Sequence, residues 1–398
     1  VHICFITEEY PPETGWGGIA TYTYEVAMYL SYNNISVSVI ALSDNEQYKE
    51  QKINSFLTVY RLSTKVYELI KLPYLWRYSK YLNGFAYHAY LKAKEIHQHQ
   101  PIALIEAAEF RANSLYTYFF LNAIPKVLRL HTSSRIVALL NKRGFGSKIV
   151  NWQENMVLKL AGNINAPSKA IIPLTFAKAG ITKVPPVQFM PNPINYQAFE
   201  PLLALEKKPF SLIYVGRLEK RKGIDLIIEA LPNLLALHPN IQITFLGKDG
   251  QMNAGLSYAQ HIKNQLNKEQ ISRVHFKQVP RTEVPKIIAE HELAIFPSIW
   301  ENCPYVLLES MAVGTPALVS PQGGMAEIVE DGINGWHLNP LSADTLVNQV
   351  GLIFNHSDKE KRLKNIAQAA TLRIAQHYDV KVLGPQFIKY YRSVIANA

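Results

Sequence analysis

The chain has 398 residues, 48% hydrophobic and 18% charged. At roughly 100–200 residues per domain this length fits two globular domains, and the composition excludes disordered and collagen-like chains. Its only cysteines, Cys4 and Cys303, exclude a disulfide framework and a Cys-based zinc site, while the net charge of +10 points to nucleic acid, a membrane surface or an acidic ligand.

Short apolar, β-branched runs alternate with amphipathic stretches from one end of the chain to the other. Strands are predicted at 1–6, 35–42, 57–62, 102–106 and 126–130, with helices at 18–31, 80–98, 111–121 and 147–161. A second series places strands at 211–215, 241–246, 273–277, 292–296, 316–319 and 335–338. Its helices are predicted at 224–237, 257–266, 282–290, 304–313 and 342–354, followed by a helical stretch over 358–397. Alternation of this kind, with near-continuously apolar strands, predicts α/β domains whose parallel sheets are covered on both faces. Two such series predict two doubly wound domains. Pro185-Pro186, Pro191-Asn192-Pro193 and Pro201 interrupt the pattern, because proline can continue neither a sheet nor a helix. They place a linker near 190–205 and divide the chain into 1–190 and 191–379. No apolar run reaches the roughly 18 residues of a membrane-spanning helix. Val1-His2-Ile3-Cys4-Phe5-Ile6 opens as a strand with no basic leader, so a reducing, cytoplasmic setting is expected.

Ligands of open α/β sheets bind beyond the carboxyl ends of the strands, and the informative motifs all fall there. Gly216-Arg217-Leu218-Glu219-Lys220-Arg221-Lys222-Gly223 follows a strand and opens a helix. Arg217 and Lys222 beside a helix N-terminus suit a diphosphate, or they belong to a solvated basic loop. After the strand Leu293–Phe296 comes Glu301-Asn302-Cys303-Pro304-Tyr305-Val306, with Glu309 further along the helix that Pro304 starts. These two carboxylates suit sugar hydroxyls; alternatively, Glu301 caps the helix and Glu309 is a surface residue. Gly323-Gly324 with Glu327 permits close backbone approach to an anion, or makes a tight turn. In the first half, Gly15-Trp16-Gly17-Gly18 precedes a helix but lacks the G-x-G-x-x-G spacing, which excludes NAD. His131 follows the strand Val127–Leu130 and is either a catalytic or a structural histidine. No Asp-x-Asp, metal-spaced His cluster, Walker loop or G-x-S-x-G elbow occurs, so ATPase and α/β-hydrolase chemistry lack their central residues.

Taken in order, these segments resemble the retaining glycosyltransferases of the GT-B fold in glycosyltransferase family 4. The resemblance rests on Glu301-x7-Glu309 with Ser310-Met311-Ala312-Val313-Gly314-Thr315-Pro316. Val215-Gly216-Arg217-Leu218 with Lys222-Gly223, Gly323-Gly324-x-x-Glu327 and Pro191-Asn192-Pro193-Ile194 complete it. It implies two Rossmann-like domains facing across a cleft, with the C-terminal helix (380–398) crossing back to the first domain. It also implies roles. Arg217 and Lys222 hold the donor diphosphate in place of a metal, so no cofactor is required. Glu309 binds the ribose and Glu301 the donor sugar. Gly17 and Gly18 approach the phosphates or sugar, and His131 lies near the sugar. Gly216, Gly323, Gly324 and the run 302–306 line the donor site, with Phe276, Gln278 and Val279 flanking the base. One departure stands out: many members carry Phe-Gly after the first glutamate, whereas here Asn302-Cys303-Pro304 follows and Pro304 offers no N–H.

The expected activity is retaining transfer of a hexosyl unit from a UDP- or GDP-linked sugar to a saccharide or lipid-linked acceptor. The alternative is a catalytically idle nucleotide-sugar-binding protein on the same scaffold. Residues 1–190 carry 20 Lys+Arg against 12 Asp+Glu, so most of the charge surplus belongs to the first half. It concentrates at 60–94, where Arg61, Lys65, Lys71, Arg77, Lys80, Lys92 and Lys94 interleave with seven tyrosines, Leu72, Leu75 and Trp76. This mixture suits a peripheral contact with an anionic membrane, or a solvated helix face. No recognition module supports nucleic acid.

Overall fold

The computed structural model describes residues 1–67, 80–141, 147–252 and 255–398, with side chains undescribed at 67 and 80–83. Lys71, Leu72, Leu75, Trp76 and Arg77 of the basic-aromatic stretch lie outside the described residues, as do the side chains of Lys80 and Tyr81. The chain forms two compact units. Residues 1–193 and 380–398 make the first, and residues 194–379 make the second.

The first unit is built on an eight-stranded sheet. Its strands are β1 (His2–Ile6), β2 (Ser36–Leu42), β3 (Lys49–Asn54), β4 (Leu57–Leu62), β5 (Leu104–Ala108), β6 (Lys126–Arg129), β7 (Asn163–Ala166) and β8 (Val187–Phe189). They are ordered β3-β4-β2-β1-β5-β6-β7-β8, and every pairing is parallel except the antiparallel edge pair β3–β4. The central strands are buried from end to end, as parallel strands covered on both faces must be. Strand β3 escapes the sequence pattern because its residues, Lys-Glu-Gln-Lys-Ile-Asn, are those of a charged edge strand that resists further pairing.

A buried polar network ties the last helix, Val380–Ala396, into this unit. Glu106 on β5 accepts from Tyr22 Oη at 2.5 Å, Tyr391 Oη at 2.9 Å and Asn165 Nδ2 at 3.2 Å. Arg129 on β6 donates to Asn165 Oδ1 (2.9 Å), Asn192 Oδ1 (2.8 Å) and Met190 O (3.0 Å), and its guanidinium lies 3.6 Å over the Tyr22 ring. Burial pushes the Glu106 carboxyl up, while Arg129 and the donated hydrogen bonds pull it back. The expected helix over 358–397 is therefore two helices. Lys359–His377 belongs to the second unit and Val380–Ala396 to the first, with the break at Tyr378-Asp379.

The second unit carries a six-stranded, all-parallel sheet. Its strands are β9 (Lys208–Val215), β10 (Gln242–Leu246), β11 (Val274–Lys277), β12 (His291–Phe296), β13 (Ala317–Val319) and β14 (Trp336–His337), ordered β11-β10-β9-β12-β13-β14. The helix Ile224–Leu237 buries Ile224, Ile227, Ile228, Leu231, Leu234 and Leu235 against it. That i, i+3/i+4, i+7 stripe contributes about 1.5–3 kcal/mol per side chain. Among the described residues, no helix is long and apolar enough to cross a membrane.

Candidate functional site

In a doubly wound sheet the crevice opens where the strand order reverses, because loops from neighbouring strands there depart to opposite faces. In the second unit that point lies between β9 and β12. The chain leaves β9 through Gly216 and reaches the helix Ile224–Leu237 at Gly223, which is left-handed at φ 75°. A Cβ at Gly223 would stand 1.9 Å from Pro297 O, so only glycine lets the helix start pass this close to the loop after β12. Gly323 plays the same part on the other side. Its φ is 73°, a Cβ would meet Glu301 O at 2.1 Å, and Gly324 N donates to that oxygen at 2.8 Å. The loops after β9, β12 and β13 are thereby knitted around Glu301.

Glu301 is 13% exposed and its Oε1 accepts from Lys222 Nζ at 2.6 Å and Arg221 Nη1 at 2.8 Å. Burial alone would raise its pKa; the Lys222 and Arg221 charges overcome that and hold it below the usual carboxylate range. Arg221 also reaches Glu219 at 3.0 Å. Arg217 differs. Tyr214 Oη donates to its carbonyl at 2.8 Å and fixes the backbone, while the guanidinium is exposed and makes no hydrogen bond or ion pair among the described residues. Of the two cations expected to act together, one is held by an internal carboxylate and the other is open to a ligand. The sequence does not single out Arg221, which stands between Lys220 and Lys222 in one basic run.

Glu309 sits in the helix Tyr305–Ala312, only 2% exposed. Its Oε1 pairs with Arg281, and its buried Oε2 has no hydrogen-bond partner. Arg281 follows β11 at the same carboxyl edge, and a search for cations just after each strand would have found it. Asn302, Cys303 and Tyr305 are buried, and Pro304 and Val306 half-buried, at the start of this helix. Phe276 stacks on Phe245 (5.2 Å, 14°) with Lys263 Nζ 5.5 Å over its ring, so its ring packs on the core of the second unit. Gln278 is exposed and Val279 half-buried just beyond it. Among the described residues, no group of three His, Cys, Asp or Glu side chains is placed to hold a metal.

Gly17, Gly18 and His131 belong to the first unit. Gly17 caps the helix Gly18–Tyr32 without a side-chain hydrogen bond, and a Cβ there would meet Glu9 Oε2 at 2.6 Å. His131 is buried with its ring 5.8 Å from Tyr22, and burial and Arg129 hold the imidazole neutral. Its backbone N donates at 2.6 Å to Glu109, a fully buried carboxyl pushed up to about 8, above all by burial. The folded chain therefore keeps a proton that an unfolded glutamate, titrating near 4.5, has lost. Stability falls as pH rises through that window. Glu109→Gln carries the neutral amide throughout. Its urea-unfolding free energy should gain on the wild type by a few kcal/mol between about pH 5 and pH 8. An offset independent of pH would refute this.

Within the 60–94 stretch, Arg61 is only 1% exposed and pairs with Glu13 at 2.9 Å, so it is a core residue and not part of a surface patch. Lys65 pairs with Glu46 and Lys92 with Glu95, and Lys94 is exposed.

Comparison with known proteins matches residues 16–198 to the family described as Glycosyltransferase Family 4 and residues 197–370 to Glycosyl transferases group 1. Spore coat protein SA of Bacillus subtilis is 27% identical over 38% of this chain, and the match spans 41% of that protein. The lipopolysaccharide 1,2-N-acetylglucosaminetransferase of Salmonella typhimurium is 25% identical over 66% of this chain and 71% of its own length. Among solved structures, sucrose-phosphate synthase from Thermosynechococcus elongatus shares the fold over the full length of both chains, with a TM-score of 0.78 at 19% identity. The GT-B fold class, two Rossmann-like α/β units, holds for this chain.

Proposed function

We propose, from the premise that this chain belongs to the GT-B glycosyltransferases of the family 4, group 1 type, that it moves a hexosyl unit from a UDP- or GDP-linked sugar to a saccharide or lipid-linked acceptor with retention at the anomeric carbon. One observation carries most of this proposal. At the β9/β12 crevice the Arg217 guanidinium, exposed and unpaired among the described residues, stands on the loop that opens a helix, five positions before Lys222 on the same loop. That arrangement suits a diphosphate.

In this mechanism Arg217 and Lys222 bind the diphosphate, and no metal is needed. Glu309 Oε2 accepts a ribose hydroxyl, which supplies the partner this buried oxygen lacks. Glu301 holds Lys222 and Arg221 through Oε1 and offers Oε2 to the sugar. The acceptor oxygen bonds to the anomeric carbon as the carbon–oxygen bond to the diphosphate breaks on the same face. The bonding pair leaves with the diphosphate, and the acceptor's proton passes to a diphosphate oxygen. Negative charge grows on the leaving group, so cations aimed there favour the transition state over the ground state. Residues 60–94, through exposed Lys65 and Lys94, would serve a peripheral contact with an anionic membrane.

A thermal-shift screen with UDP-, GDP- and ADP-sugars tests the donor assignment. A true donor at 100 times its Kd should stabilise the chain by about 2.7 kcal/mol. Stabilisation by none of the three would sink it. Stabilisation without nucleotide release in the presence of a mixed acceptor pool would identify an idle binder instead.

A further inference from the structure

Arg221 and Lys222 converge on one oxygen, Glu301 Oε1, but they are held differently. Arg221 is fixed at both ends. Its carbonyl accepts from Ile299 N at 3.0 Å, on the loop that carries Glu301, and its guanidinium spans Glu301 Oε1 at 2.8 Å and Glu219 Oε1 at 3.0 Å. Lys222 pairs with Glu301 alone among the described residues. Its stem runs beside Gly216, the neighbour of Arg217 in the chain, with Cδ 3.9 Å from where a Cβ on Gly216 would stand. A lysine ammonium carries three rotatable donors on a flexible stem, whereas a guanidinium forked between two carboxylates has little freedom to turn.

A diphosphate bound at Arg217 therefore draws on Lys222 and not on Arg221. Taking Lys222 from Glu301 carries a penalty, because a mostly buried carboxylate stripped of its counter-charge is strongly destabilising. Among the described residues two cations pair with Glu301, both from the loop after β9. The Tyr214 phenol of β9, kept neutral above all by burial, feels the Glu301 charge, and the loop after β13 meets Glu301 through the backbone of Gly323 and Gly324. Glu219 is the other acid of the cluster and is paired to Arg221. With Lys222 turned away, Arg221 is the cation that remains on Glu301.

We propose that Arg221 is a positioning residue, the standing counter-ion of Glu301, which lets Lys222 serve the donor diphosphate without stranding that carboxylate. The diphosphate half of this statement rests on the glycosyl-transfer proposal. The counter-ion half rests on the Glu301 cluster alone.

Calorimetric titration of the full chain with UDP, GDP and ADP between pH 5 and pH 8 tests the first half, each variant being compared with the wild type at the same pH. In Arg221→Gln, Lys222 becomes the sole counter-ion of Glu301, and the best nucleotide should bind at least about tenfold more weakly at pH 8. The deficit should narrow toward pH 5, where protonation of Glu301 releases Lys222. Adding Glu301→Gln to Arg221→Gln should restore binding to within about threefold of the wild type. Lys222→Met should lose affinity at every pH, and Glu301→Gln should not rescue it. A deficit in Arg221→Gln that is the same at every pH, or that Glu301→Gln leaves in place, would mean that Arg221 only shapes the loop and would overturn the proposal.

Carbon-13 NMR of the Glu301 carboxyl tests the second half and needs no ligand. Arg221→Gln should raise its proton affinity by about tenfold or more, and no rise would overturn the counter-ion role. In Lys222→Met, which keeps Arg221, Glu301 should remain a carboxylate at pH 7. A protonated Glu301 there would overturn the role even if Arg221→Gln does not fold. If none of the three nucleotides binds the wild type, the transfer proposal fails, while the carboxyl titration still decides what Arg221 does.

Discussion

Arg217→Ala should lower glycosyl transfer, followed as acceptor-dependent nucleotide release, by about 10²–10³-fold, the usual loss when one donor aimed at developing charge is removed. The fold should be untouched, because the side chain is exposed and unpaired, and the Tyr214 hydrogen bond goes to the residue-217 carbonyl, which alanine keeps. Its melting temperature should match the wild type, and the deficit should fall mainly on kcat, since the guanidinium is asked to work hardest as the diphosphate leaves. Near-normal release by a folded Arg217→Ala chain would remove the leaving-group role. No other cation in this loop gives so clean a test. Lys222 and Arg221 share Glu301 Oε1, so cutting either one also disturbs the carboxylate and the loops it gathers.

The largest stability loss is expected from Glu106→Ala, at about 3–5 kcal/mol in urea unfolding. Glu106 is the acceptor for Tyr22, Tyr391 and Asn165, and Arg129 lies beside them with both its terminal nitrogens engaged. Removing the carboxylate leaves a buried guanidinium without its counter-charge and two buried phenols without their acceptor. The helix Val380–Ala396 should loosen first, because Tyr391 is its polar tie to the sheet, and amide exchange along 380–396 should accelerate more than exchange along the helix Gly18–Tyr32. A loss below about 1 kcal/mol, or uniform exchange in the two helices, would show that apolar packing alone holds the helix.

What the sequence discloses follows the physics of each element. The strands buried on both faces announce themselves as apolar runs, so β1, β2, β9, β10 and β12 stand where the runs are. Strand β3 is charged because it is an edge, and β7 is half asparagine because Asn165 serves the Glu106–Arg129 network. Neither has the pattern of a core strand. At the site, the glycines are visible because glycine is needed where backbones touch, and the two glutamates because Pro304 marks the start of a helix between them. Their partners are harder to see. Arg221 and Lys222 are adjacent in the chain, and only the fold shows that both turn to Glu301. Arg281 precedes Glu309 by 28 positions and meets it only because a loop after β11 comes beside the helix after β12. The unpartnered Oε2 of Glu309 leaves no trace in the sequence, since a missing partner is a fact about space.

The division of the chain also fixes an order of events during synthesis. Residues 194–379 are contiguous and can close their core as soon as they emerge, but the unit that begins the chain contains residues 380–398. At about 5–20 residues per second, the ribosome spends roughly 10–40 s on the intervening segment before Tyr391 exists to meet Glu106. Through that interval Glu106 and Tyr22 sit in a half-built domain with one hydroxyl of their network unmade. The unit whose first strand is made earliest is therefore the last to be completed.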